Sequence, residues 1–107
     1  MSRLRIAVLG TMGADPFAGM AWMHLQLAGG LLRLGHDVRY VETTSSWPYD
    51  ASQGARVNDS QYTLAYLSRI TAPFGMGARW AWRRSWDDGA WFGPAAGDVD
   101  EWLASTD

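Results

Sequence analysis

Residues 1–42 constrain the fold most tightly, because they read in order as strand, loop, helix, stop and strand. Leu4, Ile6, Ala7, Val8 and Leu9 form a nearly continuous apolar run. That is the pattern of a parallel strand covered on both faces, and it predicts a central place in a sheet. A Gly-dotted loop follows from Gly10 to Gly19. From Gly19 to Leu34, a spacing of about 100° per residue puts Met20, Met23, Leu27, Leu31 and Leu34 on one stripe, widened by Ala21, Leu25, Ala28 and Leu32. Trp22, Gln26, Gly29 and Arg33 fall on the opposite side. So wide an apolar arc implies burial by more than one neighbour, and Gly35 supplies the C-terminal stop. Val38 to Val41 has the β-branched and aromatic content of a second strand. The unit is βαβ, and such units gather ligands where the first strand hands over to the first helix.

The remainder carries fewer signals. Residues 43–57 are rich in Ser, Thr, Gly and Pro without a period, which predicts a loop holding an aromatic turn at Trp47-Pro48-Tyr49-Asp50. Asn58 with Gln61 reads as a capping box, and the helix it starts is expected to reach about Thr71, ahead of Pro73. Arg79 to Trp86 has an ambiguous period: Trp80 and Trp82 suit a strand, Trp82 and Trp86 a helix. The helix is the reading adopted. Gly89 to Gly97 reads as a loop, and Asp98 with Glu101 caps a last short helix carrying Val99, Trp102 and Leu103. A parallel sheet normally has several strands, and only two are clear here, so the 107 residues read as one incomplete α/β domain cut inside a βα repeat.

Composition excludes several function classes. A net charge of -2 provides no field for nucleic acid or an anionic membrane. The absence of cysteine removes disulfide scaffolds, thiolate zinc sites and thiol nucleophiles, and is compatible with a reducing cytoplasm. The N-terminal apolar run is shorter than a signal h-region or a membrane span, so a soluble, cytoplasmic chain is expected. The two histidines stand far apart among scattered carboxylates, which makes no metal ligand set, and no cofactor motif is complete.

The candidate site residues lie around the first loop. Gly10-Thr11-Met12-Gly13 departs from the dinucleotide fingerprint, since Met12 stands where its second glycine belongs. Glu42 does end the second strand, where a ribose-binding acid sits in dinucleotide enzymes; the alternative is a strand end in solvent. Gly13 to Met20 is flexible enough to offer backbone amides to an anionic or hydroxyl-rich group, or to be a βα turn with no ligand. His24, in the second helical turn, reads either as a general base or hydroxyl-positioning donor, or as a structural histidine. His36 reads as solvent-facing or capping, with no functional role. Arg79, Arg83 and Arg84 with Trp80, Trp82 and Trp86 combine cations with stacking surfaces, yet Asp87 and Asp88 follow directly, which favours Trp inward and Arg outward over a polynucleotide groove.

Several of these segments together carry a resemblance. Arg5 to Gly10, Gly19-Met20-Ala21-Trp22 with His24-Leu25-Gln26, Leu31 to Asp37 with Val41-Glu42, and Trp47-Pro48-Tyr49-Asp50 resemble the start of GT-B type glycosyltransferases and their relatives. The likeness is clearest over residues 3–50. It implies a partial Rossmann-like domain, the N-terminal half of a GT-B enzyme, with a short parallel sheet flanked by helices. It also implies a nucleotide-sugar donor bound mainly by a C-terminal half lying outside these residues, and an acceptor held on this side. Gly10, Thr11, Gly13, Gly19, Met20 and Trp22 would line the acceptor cleft, and His24 would be a polar contact there. Two other readings remain: an interaction or ligand-binding module docking a partner chain through the Trp-rich segment, and a fragment of a nucleotide-dependent oxidoreductase using Glu42.

Overall fold

The computed structural model describes residues 3–16, 18–43 and 47–107; the side chains of Ala18 and Met20 also lie outside that description. Strand β1 (Arg5–Leu9) leads into helix α1 (Ala18–Arg33) and strand β2 (Asp37–Glu42). A small hairpin of β3 (Tyr49–Asp50) and β4 (Ala55–Arg56) precedes helix α2 (Gln61–Thr71) and a 3-10 turn at Ala72–Phe74. Strands β5 (Trp80–Arg83) and β6 (Trp91–Phe92) and helix α3 (Val99–Ala104) complete the order. The four main strands lie in the order β1-β2-β5-β6, with β3 and β4 paired apart from them. The α/β class and the opening βαβ unit stand as read from the sequence. The sheet is mixed rather than purely parallel: β1/β2 and β2/β5 are parallel, and β6 runs antiparallel to β5.

Two corrections follow from that order. The apolar run at β1 predicted a central strand, but the next parallel strand joins on the far side of β2, so β1 is an edge and Leu9 is exposed. The segment at Arg79 to Trp86 is a strand and a turn, not a helix. Its alternation decides this. Trp80 and Trp82 enter the core beneath α1 and α2, while Ala81 joins Val41, Ala95 and Val99 in a second core beside α3. Three successive residues thus meet covered faces on alternate sides of the sheet, with Arg83 exposed at the end, which a helix of four residues could not arrange. The Arg84–Asp88 ion pair, at helical i,i+4 spacing, closes the turn after β5 instead.

The other elements depart in detail. Helix α1 ends as expected: Gly35 adopts φ 95° and its N–H donates to Leu32 O at 3.0 Å. His36 beyond it is buried rather than solvent-facing: its Nδ1 accepts the Leu4 N–H at 3.1 Å, and its own N–H donates to Leu31 O at 3.3 Å, which completes the cap of α1. Helix α2 starts later than Asn58, with Ser60 at its N-cap; Asp59 Oδ1 accepts the Gln61 N–H at 3.0 Å, and Asn58 Oδ1 takes the Trp86 indole N–H at 2.7 Å. The first long loop holds the β3/β4 hairpin, and the stretch from Gly89 to Gly97 holds β6. On α1 the sheet takes Ala21, Leu25 and Ala28, and Gly29 packs on Phe74 rather than facing outward. Met23, Leu27 and Leu34 remain exposed.

Candidate functional site

The loop that leaves β1 turns inward over the C-terminal end of β2. Tyr40 and Glu42 are two residues apart on that strand, so both side chains share one face and reach the same loop. Tyr40 Oη accepts the Met12 N–H at 2.9 Å and donates to Glu42 Oε1 at 2.6 Å. Glu42 Oε1 also accepts the Gly13 N–H, and its Oε2 accepts the Ala14 N–H, each at 2.8 Å. The carboxylate is fully buried and so is Met12. An internal anion thus occupies the two backbone donors that a ligand's anionic group would otherwise seek. Burial pushes the Glu42 carboxyl upward, against the hydrogen bonds from Tyr40 and the two amides that favour its charged form. Burial, with Glu42 beside it, raises the Tyr40 phenol as well.

Gly13 is required by this closeness. A Cβ there would stand 2.8 Å from Thr63 Cγ2 and 3.1 Å from Trp82 Nε1. Among the described residues the buried Thr63 hydroxyl and Trp82 indole N–H meet no hydrogen-bond acceptor in full alignment, although the Trp82 indole lies close enough to Glu42 to favour its charge. From outside, Arg56 fastens the hairpin to the same loop: its guanidinium donates to Ala14 O at 3.0 Å, Trp47 O at 2.9 Å and Asp15 Oδ1 at 2.6 Å. The Tyr49 N–H adds a bond to Ala14 O at 2.9 Å.

The expected site residues separate into three places. Gly10, Thr11 and His24 meet at the mouth of the loop: a Cβ on Gly10 would come within 2.6 Å of His24 Nε2, and the imidazole stands edge-on to the Tyr40 ring at 6.3 Å between centroids. Thr11 contributes its carbonyl, which accepts the Asp15 N–H at 2.8 Å. Gly13 and Glu42 lie beneath, sealed from solvent. Gly19 is exposed with open space around it, and the Met20 side chain lies outside the described residues. Trp22 is elsewhere, edge-on to Phe74 at 5.5 Å, beside a groove of about 600 Å³ between α1 and α2. His24 borders a different groove, of about 540 Å³, between α1 and the edge of β1. Trp22 and His24 therefore do not share a cleft.

Sequence reasoning missed Tyr40, Thr63, Trp82 and Arg56. For the first of these a signal existed: Tyr40 and Glu42, two apart at the end of a strand, share one face and can reach the same loop. In the Trp-rich segment Trp80 and Trp82 are buried, Trp86 is half-buried and Arg83 is exposed. Among the described residues no group of three or more His, Asp or Glu side chains could hold a metal, and no helix is long and apolar enough to cross a membrane. Comparison of the chain with protein-family models, with curated proteins and with solved structures finds no match.

Proposed function

We propose that this chain is the acceptor side of a glycosyltransferase-like protein, holding the hydroxyl-bearing substrate while a nucleotide-sugar donor is bound by polypeptide outside these residues. The observation that carries the reading is the Glu42 carboxylate on the Gly13 and Ala14 amides. A loop whose donors are already bonded to an internal anion has no call for a phosphate, so the nucleotide belongs elsewhere. What faces the groove instead is His24, an imidazole able to orient an acceptor hydroxyl and take its proton as the new glycosidic bond forms. The resemblance over residues 3–50 supports the same assignment. The same observation weighs against the oxidoreductase reading, because Glu42 faces inward and cannot reach a ribose.

The test is an amide chemical-shift titration of the 107-residue chain with p-nitrophenyl glycosides, UDP and NAD in parallel. A glycoside is expected to shift Gly10 and His24 saturably, and His24→Ala to weaken it about tenfold, the effect of one lost hydrogen bond. Saturable shifts of Gly13 and Ala14 by UDP or NAD, or glycoside binding indifferent to His24→Ala, would overturn the reading.

A further inference from the structure

Helices α1 and α2 pack into the same core and meet chiefly through the 3-10 turn at Ala72–Phe74, whose Phe74 ring lies on Gly29 and edge-on to Trp22. That spacing leaves the groove of about 600 Å³ between the two helices open. Its buried lining includes Ala21, Leu25 and Tyr66, and Trp22 borders it with 57% of its surface exposed. The volume falls within the roughly 300–1,000 Å³ of small-molecule sites, and aromatic side chains with few polar groups are the usual lining of such sites.

The polar side chains of the groove are two residues of α2, Tyr66 and Arg69, which lie three apart and so share one helix face. The Arg69 guanidinium stands 5.7 Å from the Tyr66 ring centroid, in the last turn of α2, where a cation suits the helix dipole. Among the described residues it makes no ion pair and no hydrogen bond, so its five N–H donors are uncommitted. Burial raises the Tyr66 phenol, which keeps its O–H a neutral donor beside the guanidinium. The chain has 11 acidic residues, yet residues 18–33 and 61–74 contain none. The groove therefore offers a cation with no carboxylate on either helix to compete for it.

We infer that the groove between α1 and α2 binds a small aromatic carboxylate, its flat apolar body against Trp22, Tyr66 and Phe74 and its carboxylate on Arg69. The charge decides the head group. One guanidinium matches one carboxylate through two parallel N–H···O bonds, whereas the phosphates of a nucleotide carry more charge than a single arginine balances. The walls decide the body, because three aromatic side chains favour a planar partner through offset and edge-on contacts. An apolar helix laid across the groove would bury the guanidinium without a counter-charge, and a neutral hydrocarbon would leave its donors unused. This groove is separate from the one that His24 borders, so the inference is independent of the acceptor reading.

The test titrates the 107-residue chain with naphthoate, with its neutral counterpart naphthalenemethanol and with decanoate, following amide and indole N–H chemical shifts. Naphthoate is expected to shift the Trp22 indole and the Ile70 amide saturably while Gly10 and His24 stay unchanged. Its Kd should be about 1 mM or tighter, as ordinary ligand efficiency gives a molecule of that size. The neutral alcohol should bind at least about tenfold more weakly, and Arg69→Gln should bring naphthoate down to the same level. Arg69 is exposed, so this substitution leaves the fold intact. Trp22→Ala, also at an exposed position, should weaken naphthoate and alcohol alike. The inference is overturned by an absence of saturable shifts at Trp22 and Ile70, by equal affinity for naphthoate and the alcohol, or by full naphthoate affinity in Arg69→Gln. Decanoate binding more tightly than naphthoate would overturn it too, as would Trp22 shifts that follow protein concentration alone, the mark of a second copy in the groove.

Discussion

At the scale of single residues, Glu42 sets the character of the loop. Truncating it leaves two buried amides and the Tyr40 hydroxyl without their acceptor, so Glu42→Ala is expected to destabilise the fold by about 3 kcal/mol in denaturant melts. Its raised pKa fixes a sign as well. Between the ordinary value of 4.5 and the higher folded value, the folded chain holds a proton that the unfolded chain has lost. Glu42 therefore makes stability fall as pH rises through that window, and a Glu42→Gln series of thermal melts should lack this slope. Gly93 is a second critical position. It sits at φ 109°, and a Cβ would lie 2.7 Å from the Trp80 ring and 2.8 Å from Trp80 O. Gly93→Ala is expected to cost about 2–3 kcal/mol, read by the same melts.

Among the elements, legibility followed the strength of local chemistry. The opening strand, helix and second strand were readable because periodicity, Gly35 and β-branched content agreed there. The Trp-rich strand was not, because four residues of Trp and Ala carry too little period, and what decides the matter is nonlocal: pairing with β2 and a core on each face. Edge or centre was equally unreadable, since an apolar run says that both faces want cover and not which neighbours supply it. The loop network stayed hidden because Glu42 meets Gly13 only after the fold brings residues 29 positions apart together. Trp82→Ala should cost about 3–5 kcal/mol, since the ring is fully buried in the α1-side core. Asp37 joins three elements, pairing with Arg79 and accepting the Trp102 indole N–H at 3.2 Å. Despite its own burial penalty, these partners hold its carboxyl below the ordinary 3.8. Its contribution is therefore present above that pH and lost as pH falls through the lowered value. Asp37→Asn should lower the melting temperature near neutrality and converge on the parent chain in strong acid.

Over the whole molecule, a radius of gyration of 13.4 Å matches a compact chain of this length. Packing is uneven: two cores flank β2 and β5, while one side of β1 and α1 stays open. The two features converge on one region, with the closed Glu42 network beneath the loop and the open edge beside it. If the loop is sealed from within, its behaviour should be set by one internal carboxylate. The most direct measurement is an NMR pH titration following the Glu42 side-chain carboxyl carbon and the Gly13 and Ala14 amide protons together. The expected result is a shared transition for all three signals above the ordinary 4.5. A Glu42 carboxyl that titrates at or below that value, with Gly13 and Ala14 unresponsive, would contradict the account.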